Sequence, residues 1–337
     1  MLNSFYIKNY RLFKELRIDS LKKVNLIIGK NNVGKSSLLE ALFIWLCNGL
    51  VPSLACSSWR GRKWIIKDAD DPVKVYHFFS ALFNDTGDSS GENSMSIGEN
   101  EQNAYAISLD REILTIQKAN GEKEIVRLTD FKTIFSKSRL NELFKNSNIE
   151  IIMPSGGSDE SALSDDWSRI ALSSKEDHVI ESLQIIEKDI EKIAFIRESP
   201  DRQKAIVKLR NREKPFDLRN MGNGVTHILE AVLALVNCEN GALLIDEFET
   251  GLHWSVQAEL WKIIFDMAYK LNIQIFATTH SRDTLWALQQ VALSKEEYKN
   301  DTQVIKLKSV PKKGIIKAVE SNIADVKETL EMGLEIR

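Results

Sequence analysis

The chain has 337 residues, of which 43% are hydrophobic and 28% charged, with a net charge of −3 at pH 7. That is enough apolar material for one large α/β domain carrying an inserted lobe, and the near-neutral charge offers no global attraction to nucleic acid. Three scattered cysteines, Cys47, Cys56 and Cys238, lack histidines at metal-ligand spacing, which favours reduced structural thiols and disfavours a zinc site.

The first residues, Met1 to Tyr6, show no basic segment leading into an apolar run and cleavage site, so a cytoplasmic location is expected. From Phe5 to Ile18, β-formers alternate with polar residues, as in a hairpin. Next comes the apolar run Val24-Asn25-Leu26-Ile27-Ile28, then Gly29, Lys30, Asn31, Asn32, Val33, Gly34, Lys35, Ser36 and Ser37, then helix formers from Leu38 to Leu42. This is a P-loop between strand and helix. The spacing Gly-x4-Gly-Lys-Ser lets successive backbone N–H groups surround a phosphate over a helix N-terminus. It aims Lys35 at the β- and γ-phosphates and the Ser36 hydroxyl at Mg²⁺. ATP with Mg²⁺ is therefore the expected ligand, and the preceding hairpin is placed to support the base.

The apolar stretch Leu38 to Val51 contains Glu40 and Asn48 and is too short to cross a bilayer, so it predicts a buried helix. Residues 51–200 read as an inserted β/helical lobe between an N-terminal hairpin and P-loop lobe (1–50) and a C-terminal lobe (201–337). Within it, residues 84–103 and 155–166 are dominated by polar and small residues and predict surface loops. Tyr105 to Leu109 and Ile113 to Ile116 predict short strands, and Leu128 to Phe144 a helix. Nothing sustains heptads, so no long coiled coil is expected.

Two basic segments, Trp59 to Trp64 and Arg202 to Lys214, could grip phosphates. In the second, however, the basic residues fall on even-numbered positions around Ile206, Val207 and Leu209, as in a strand with one solvated face. Asn220-Met221-Gly222-Asn223-Gly224 precedes a helix through Ile228 to Leu233 and is a second glycine-rich turn suited to anions. Gly241 to Glu247 is a short buried strand ending in the acids Asp246 and Glu247. Phosphoryl transfer needs charge neutralisation and an oriented nucleophile, so Asp246 is assigned to Mg²⁺ and Glu247 to the attacking water. Trp254 to Leu271 carries apolar residues at helical spacing, and Ile273 to Ala277 is the next strand, ending at Thr278-Thr279-His280-Ser281. Strand, helix and strand form a parallel crossover that brings His280 to the same edge as a γ-phosphate contact.

Taken in order, Gly29 to Ser37, Arg219 to Gly224, Leu244 to His253 and Ala277 to Ser281 resemble the motifs of ABC-type ATPases, and most of all those of OLD-like AAA-family proteins. The resemblance spans nearly the whole chain, including the tail from Lys312 to Arg337. It implies a P-loop NTPase fold of the ABC type: a mixed sheet flanked by helices, with an N-terminal antiparallel β lobe and an inserted helical lobe. It also implies that ATP is sandwiched between the P-loop of one copy and the Gly222–Gly224 turn of another, so that ATP drives head-to-head dimerisation. Asn220 and Asn223 stand where the resembled family carries serine and an acid, which points to slower hydrolysis. OLD proteins follow the ATPase with a Toprim nuclease domain. The sequence ends before one, so the expected effector is a separate protein of that type, acting in defence against foreign DNA. A RecF-like repair ATPase that binds DNA directly is the alternative, and a transporter subunit is disfavoured because no membrane segment is present.

Overall fold

The computed structural model describes residues 1–49, 71–84, 94–131, 148–152, 160–199, 202–310 and 315–326. The basic segment Trp59 to Trp64, most of the stretch expected as a helix from Leu128 to Phe144, and the last residues of the tail lie outside that range.

The central sheet contains β3 (Val24–Ile28), β8 (Ile149–Ile152), β12 (Ala242–Ile245), β13 (Gln274–Thr279), β14 (Thr302–Val310) and β15 (Ile315–Asn322), in the order β15-β14-β3-β13-β12-β8. All neighbours are parallel except β15, which returns antiparallel to β14. Alternate side chains enter opposite cores. Val24, Leu26, Ile28, Leu243, Ile245, Ile275 and Ala277 face one, whereas Ile27, Leu244, Phe276, Ile305 and Leu307 face the other. Burial on both faces is why these strands read as continuous apolar runs. The expected crossover is present: β12 leads through α6 (Trp254–Lys270) to β13, its parallel neighbour. β14, which no sequence motif marked, flanks the P-loop strand on its other side.

One core lies under α1 (Lys35–Leu46) and an antiparallel sheet ordered β2-β1-β4-β5-β6-β7. Its strands are β1 (Phe5–Tyr10), β2 (Phe13–Ile18), β4 (Ser94–Gly98), β5 (Ala104–Asp110), β6 (Ile113–Gln117) and β7 (Lys123–Arg127). The N-terminal hairpin is thus extended by strands from the 51–200 stretch. The expected loop 84–103 is corrected in part: Met95 and Ile97, its two buried apolar residues, lie on β4, which pairs with both β1 and β5. The helix expected to run to Val51 stops at Leu46. Asn48 and Gly49 take positive φ, and the Gly49 N–H bonds back to the Ile44 carbonyl, closing the helix end.

The other core is covered by α3 (Glu160–Ile170), α4 (Ser174–Gln184), α5 (Asn223–Asn237), α6 and α7 (Arg282–Ala292). Residues 160–166 of the second expected loop belong to α3, because Leu163, Trp167 and Ile170 recur at helical spacing and are buried. A small sheet of β9 (Ile190–Ser199), β10 (Arg202–Leu209) and β11 (Phe216–Asp217) packs its inner face here. Ala205, Val207 and Leu209 are the buried side of β10, as the even-numbered charge pattern predicted.

Candidate functional site

Three parallel strands, β3, β13 and β12, deliver their carboxyl ends side by side, and each is followed by polar residues. After β3 the P-loop turns into α1. Gly34 holds φ 90° at the helix N-cap, and no side chain caps the first turn, so the helix's leading N–H groups face the loop. An added Cβ at Gly34 would lie 2.7 Å from the Phe13 ring of β2, so both conformation and space require glycine there. Gly29 and Val33 are buried and Lys30, Asn31 and Asn32 exposed. Lys35 Nζ donates to the carbonyls of Gly29 at 2.8 Å and Lys30 at 3.0 Å. Its partial burial lowers the ammonium pKa, against the opposing pull of the Asp246, Glu249 and Glu247 carboxylates.

Asp246 lies just past β12 and is 6% exposed. Its Oδ1 accepts the Ser36 hydroxyl at 3.2 Å and the buried Thr278 hydroxyl at 2.6 Å. Thr278 in turn accepts the Glu247 N–H at 2.8 Å, so one hydroxyl from β13 holds both acids of the β12 edge. Glu247 has φ 50°, a conformation costly for a residue with a Cβ and typical of functional turns. Asn31, Asn32, Gly34, Lys35, Ser36 and Ser37 line a cleft of about 490 Å³ together with Glu40, Asp246, Glu247 and His280. Arg11 and Leu12 from the β1–β2 turn complete its wall, with Arg11 paired to Glu40 at 2.9 Å. The volume is that of a small-molecule site.

The glycine-rich turn sits elsewhere. Asn220 is exposed within a 3-10 turn, Leu218–Met221; Gly222 holds φ 95° at the N-cap of α5; Asn223 and Gly224 open that helix. Among the described residues lining the cleft, none comes from 220–224. A Cβ at Gly222 or Gly224 would meet nothing within 4 Å.

Sequence reasoning missed Thr278, Arg11 and Glu249. Two threonines before a histidine at a strand end were the available signal for the first. The hairpin was expected near the base, but which of its residues reaches the cleft depends on a turn geometry that spacing does not encode. Glu249 stood unassigned, two positions beyond Glu247.

A parallel sheet with a P-loop, an acidic strand end and a histidine on the adjoining strand defines an ABC-type P-loop ATPase. The chain belongs to the family described as "AAA domain, putative AbiEii toxin, Type IV TA system", which it matches over residues 24–285. Over 352 aligned positions it is 26% identical to an ATP/GTP phosphatase of Helicobacter pylori, covering 91% of this chain and 92% of the relative. A 43-residue segment is 44% identical to the DNA replication and repair protein RecF of Oenococcus oeni, covering 13% of this chain and 12% of that one. In fold it is similar to an SMC head crystallised with the C-terminal winged-helix domain of ScpA (TM-score 0.55, 12% identity, 96% of this chain and 99% of that one). Among the described residues no helix is long and apolar enough to cross a membrane.

Proposed function

We propose that this chain is an OLD-like, Mg²⁺-dependent ATPase that works as an association switch. ATP held in the P-loop cleft of one copy is closed over by the Gly222–Gly224 turn of a second copy, and hydrolysis releases the pair. One observation carries the reading: Lys35, Ser36, Asp246, Glu247 and His280 share a cleft, while the second anion-suited turn stands outside it with open space at both glycines. A second copy supplies what the cleft lacks.

In this reading the loop N–H groups and Lys35 neutralise the β- and γ-phosphates. The Ser36 hydroxyl and Asp246 carboxylate are hard oxygen donors of the kind Mg²⁺ takes, and they already lie against each other. Mg²⁺ is commonly held by one or two protein oxygens with water and nucleotide phosphates, and this pair suits that role. When bound, the ion supplies charge neutralisation at the phosphates. Glu247 orients and polarises the attacking water, and His280 contacts the γ-phosphate. The name of the Helicobacter pylori relative supports hydrolysis. The switch acts in the cytoplasm on an effector protein, and the sequence resemblance favours a Toprim-type nuclease in defence against foreign DNA.

Lys35→Ala is expected to abolish both phosphate release and the ATP-dependent doubling of mass seen by light scattering. A variant that still dimerised with ATP would overturn the switch. A RecF-like reading has its own support in the outer face of the β9–β10 ribbon, where Lys192 lies directly opposite Lys208, a like-charge pair that an anionic partner would relieve. ATP-stimulated, salt-sensitive DNA binding by the isolated chain would favour it over the switch.

A further inference from the structure

Glu249 does not line the cleft, yet three donors converge on it from the end of β13. Its Oε1 lies 2.8 Å from His280 Nδ1 and accepts the His280 backbone N–H at 3.0 Å, and its Oε2 accepts the Thr279 hydroxyl at 2.6 Å. The arrangement is sheltered on one side only. The Glu249 side chain is 13% exposed, whereas His280 is 51% exposed and lines the cleft. Thr279 is itself fixed, because its hydroxyl oxygen accepts the Ser281 N–H at 3.0 Å, and the Ser281 hydroxyl caps the first turn of α7.

A carboxylate only accepts hydrogen bonds, so the ring nitrogen facing it must carry the proton. That contact fixes the rotation of the imidazole and its tautomer, and leaves Nε2, on the far side of the ring, as the atom offered to the cleft. The backbone bond from the same residue holds the ring's point of attachment as well. Glu249 also belongs to the turn that carries Glu247, closed by the Thr250 N–H to the Glu247 carbonyl at 2.9 Å. The residue that addresses the water and the one that addresses the phosphate are therefore coupled through one short turn.

We infer that Glu249 is a positioning residue for hydrolysis, acting through His280 by holding its ring in the orientation and tautomer the γ-phosphate meets. The inference rests on the reading of His280 as a γ-phosphate contact, and the experiment separates the two. Glu249→Ala is expected to lower kcat about tenfold, in the range found when a group that orients a site histidine is removed. KM for ATP should stay within about twofold, since the binding loop is untouched. Glu249→Gln, which keeps an acceptor opposite Nδ1, should recover most of the rate. In a His280→Ala background Glu249→Ala should cost nothing further, because its route of action is gone. ¹⁵N NMR of the histidine rings, assigned with His280→Ala, should show His280 protonated at Nδ1 in the wild type and released from that tautomer in Glu249→Ala. Equal losses in both backgrounds, or an unchanged His280 ring signal in Glu249→Ala, would overturn the inference. If His280→Ala alone leaves hydrolysis intact, the phosphate-contact reading falls, and with it the catalytic part of this inference; the ring signal then still decides whether Glu249 holds the histidine.

Discussion

The proposed chemistry converges on Asp246 and Glu247, neighbours in sequence that the structure treats differently. Asp246 is buried against Ser36 and Thr278, while Glu247 is turned by its positive φ into the open cleft. Adjacent side chains on a continuing strand would point to opposite faces, so the twist at Glu247 is what lets both acids serve one site. Glu247→Gln keeps the shape and removes the base, and is expected to slow phosphate release by about 10²-fold or more while nucleotide binding persists. Fluorescent-nucleotide binding and a phosphate assay on the same sample check this. Wild type treated with a Mg²⁺ chelator should lose turnover in the same assay.

Arg169 on α3 joins that helix to the edge strand β8, bonding Glu150 and Asp166 at 2.8 Å each. One guanidinium cannot fully compensate two carboxylates withdrawn from water. Burial, reinforced by Asp166 and opposed by Arg169, pushes the Glu150 carboxyl from 4.5 up to about 7. Between those values the native state keeps a proton that the unfolded chain has released, so this group's contribution to stability falls as pH rises through the window and levels off above it. The effect is on the order of 3 kcal/mol at most. Chemical denaturation at pH 5 and pH 8 should therefore show Glu150→Gln gaining on the wild type at the higher pH. The helix that carries the glycine-rich turn is anchored separately. His227 of α5 packs against Gly251, where an added Cβ would collide with the imidazole, so this helix and the turn after Glu247 bear on one another.

Two cores meet back to back across a single sheet, and the cleft opens along that sheet's carboxyl edge, with the turn of α5 outside it. A composite site between two copies makes a specific demand. Lys35→Ala destroys the P-loop half, and Gly222→Trp, bulky where φ is 95° and the surroundings are open, destroys the turn half. Each variant alone should be inactive. Neither variant can close an ATP sandwich with its own kind, so in an equal mixture the dimers pair the two variants, and each rebuilds one intact site from two undamaged halves. Up to about half of wild-type activity should return, measured by phosphate release against mixing ratio. A site complete within one chain would give no recovery.

Local chemistry was legible because backbone spacing and strand ends encode it. The P-loop, the acids after β12, His280 and the β12–α6–β13 crossover all rest on residues close in sequence. Strand β4 and helix α3 were hidden because a few apolar residues in polar surroundings, Met95 and Ile97 or Leu163 and Trp167, acquire meaning only from the neighbours that bury them. Thr278, Arg11 and Glu249 were hidden for a related reason: their partners lie 32, 29 and 31 positions away, and side-chain direction follows from strand order and register. The amino-acid order thus specified a P-loop α/β ATPase and most of the residues that line its cleft, since those depend on short-range backbone geometry. Which hydroxyl grips Asp246, which carboxylate holds His280, and that the second glycine turn stands apart from the cleft were settled by packing, because each depends on elements that meet only once the sheet has formed.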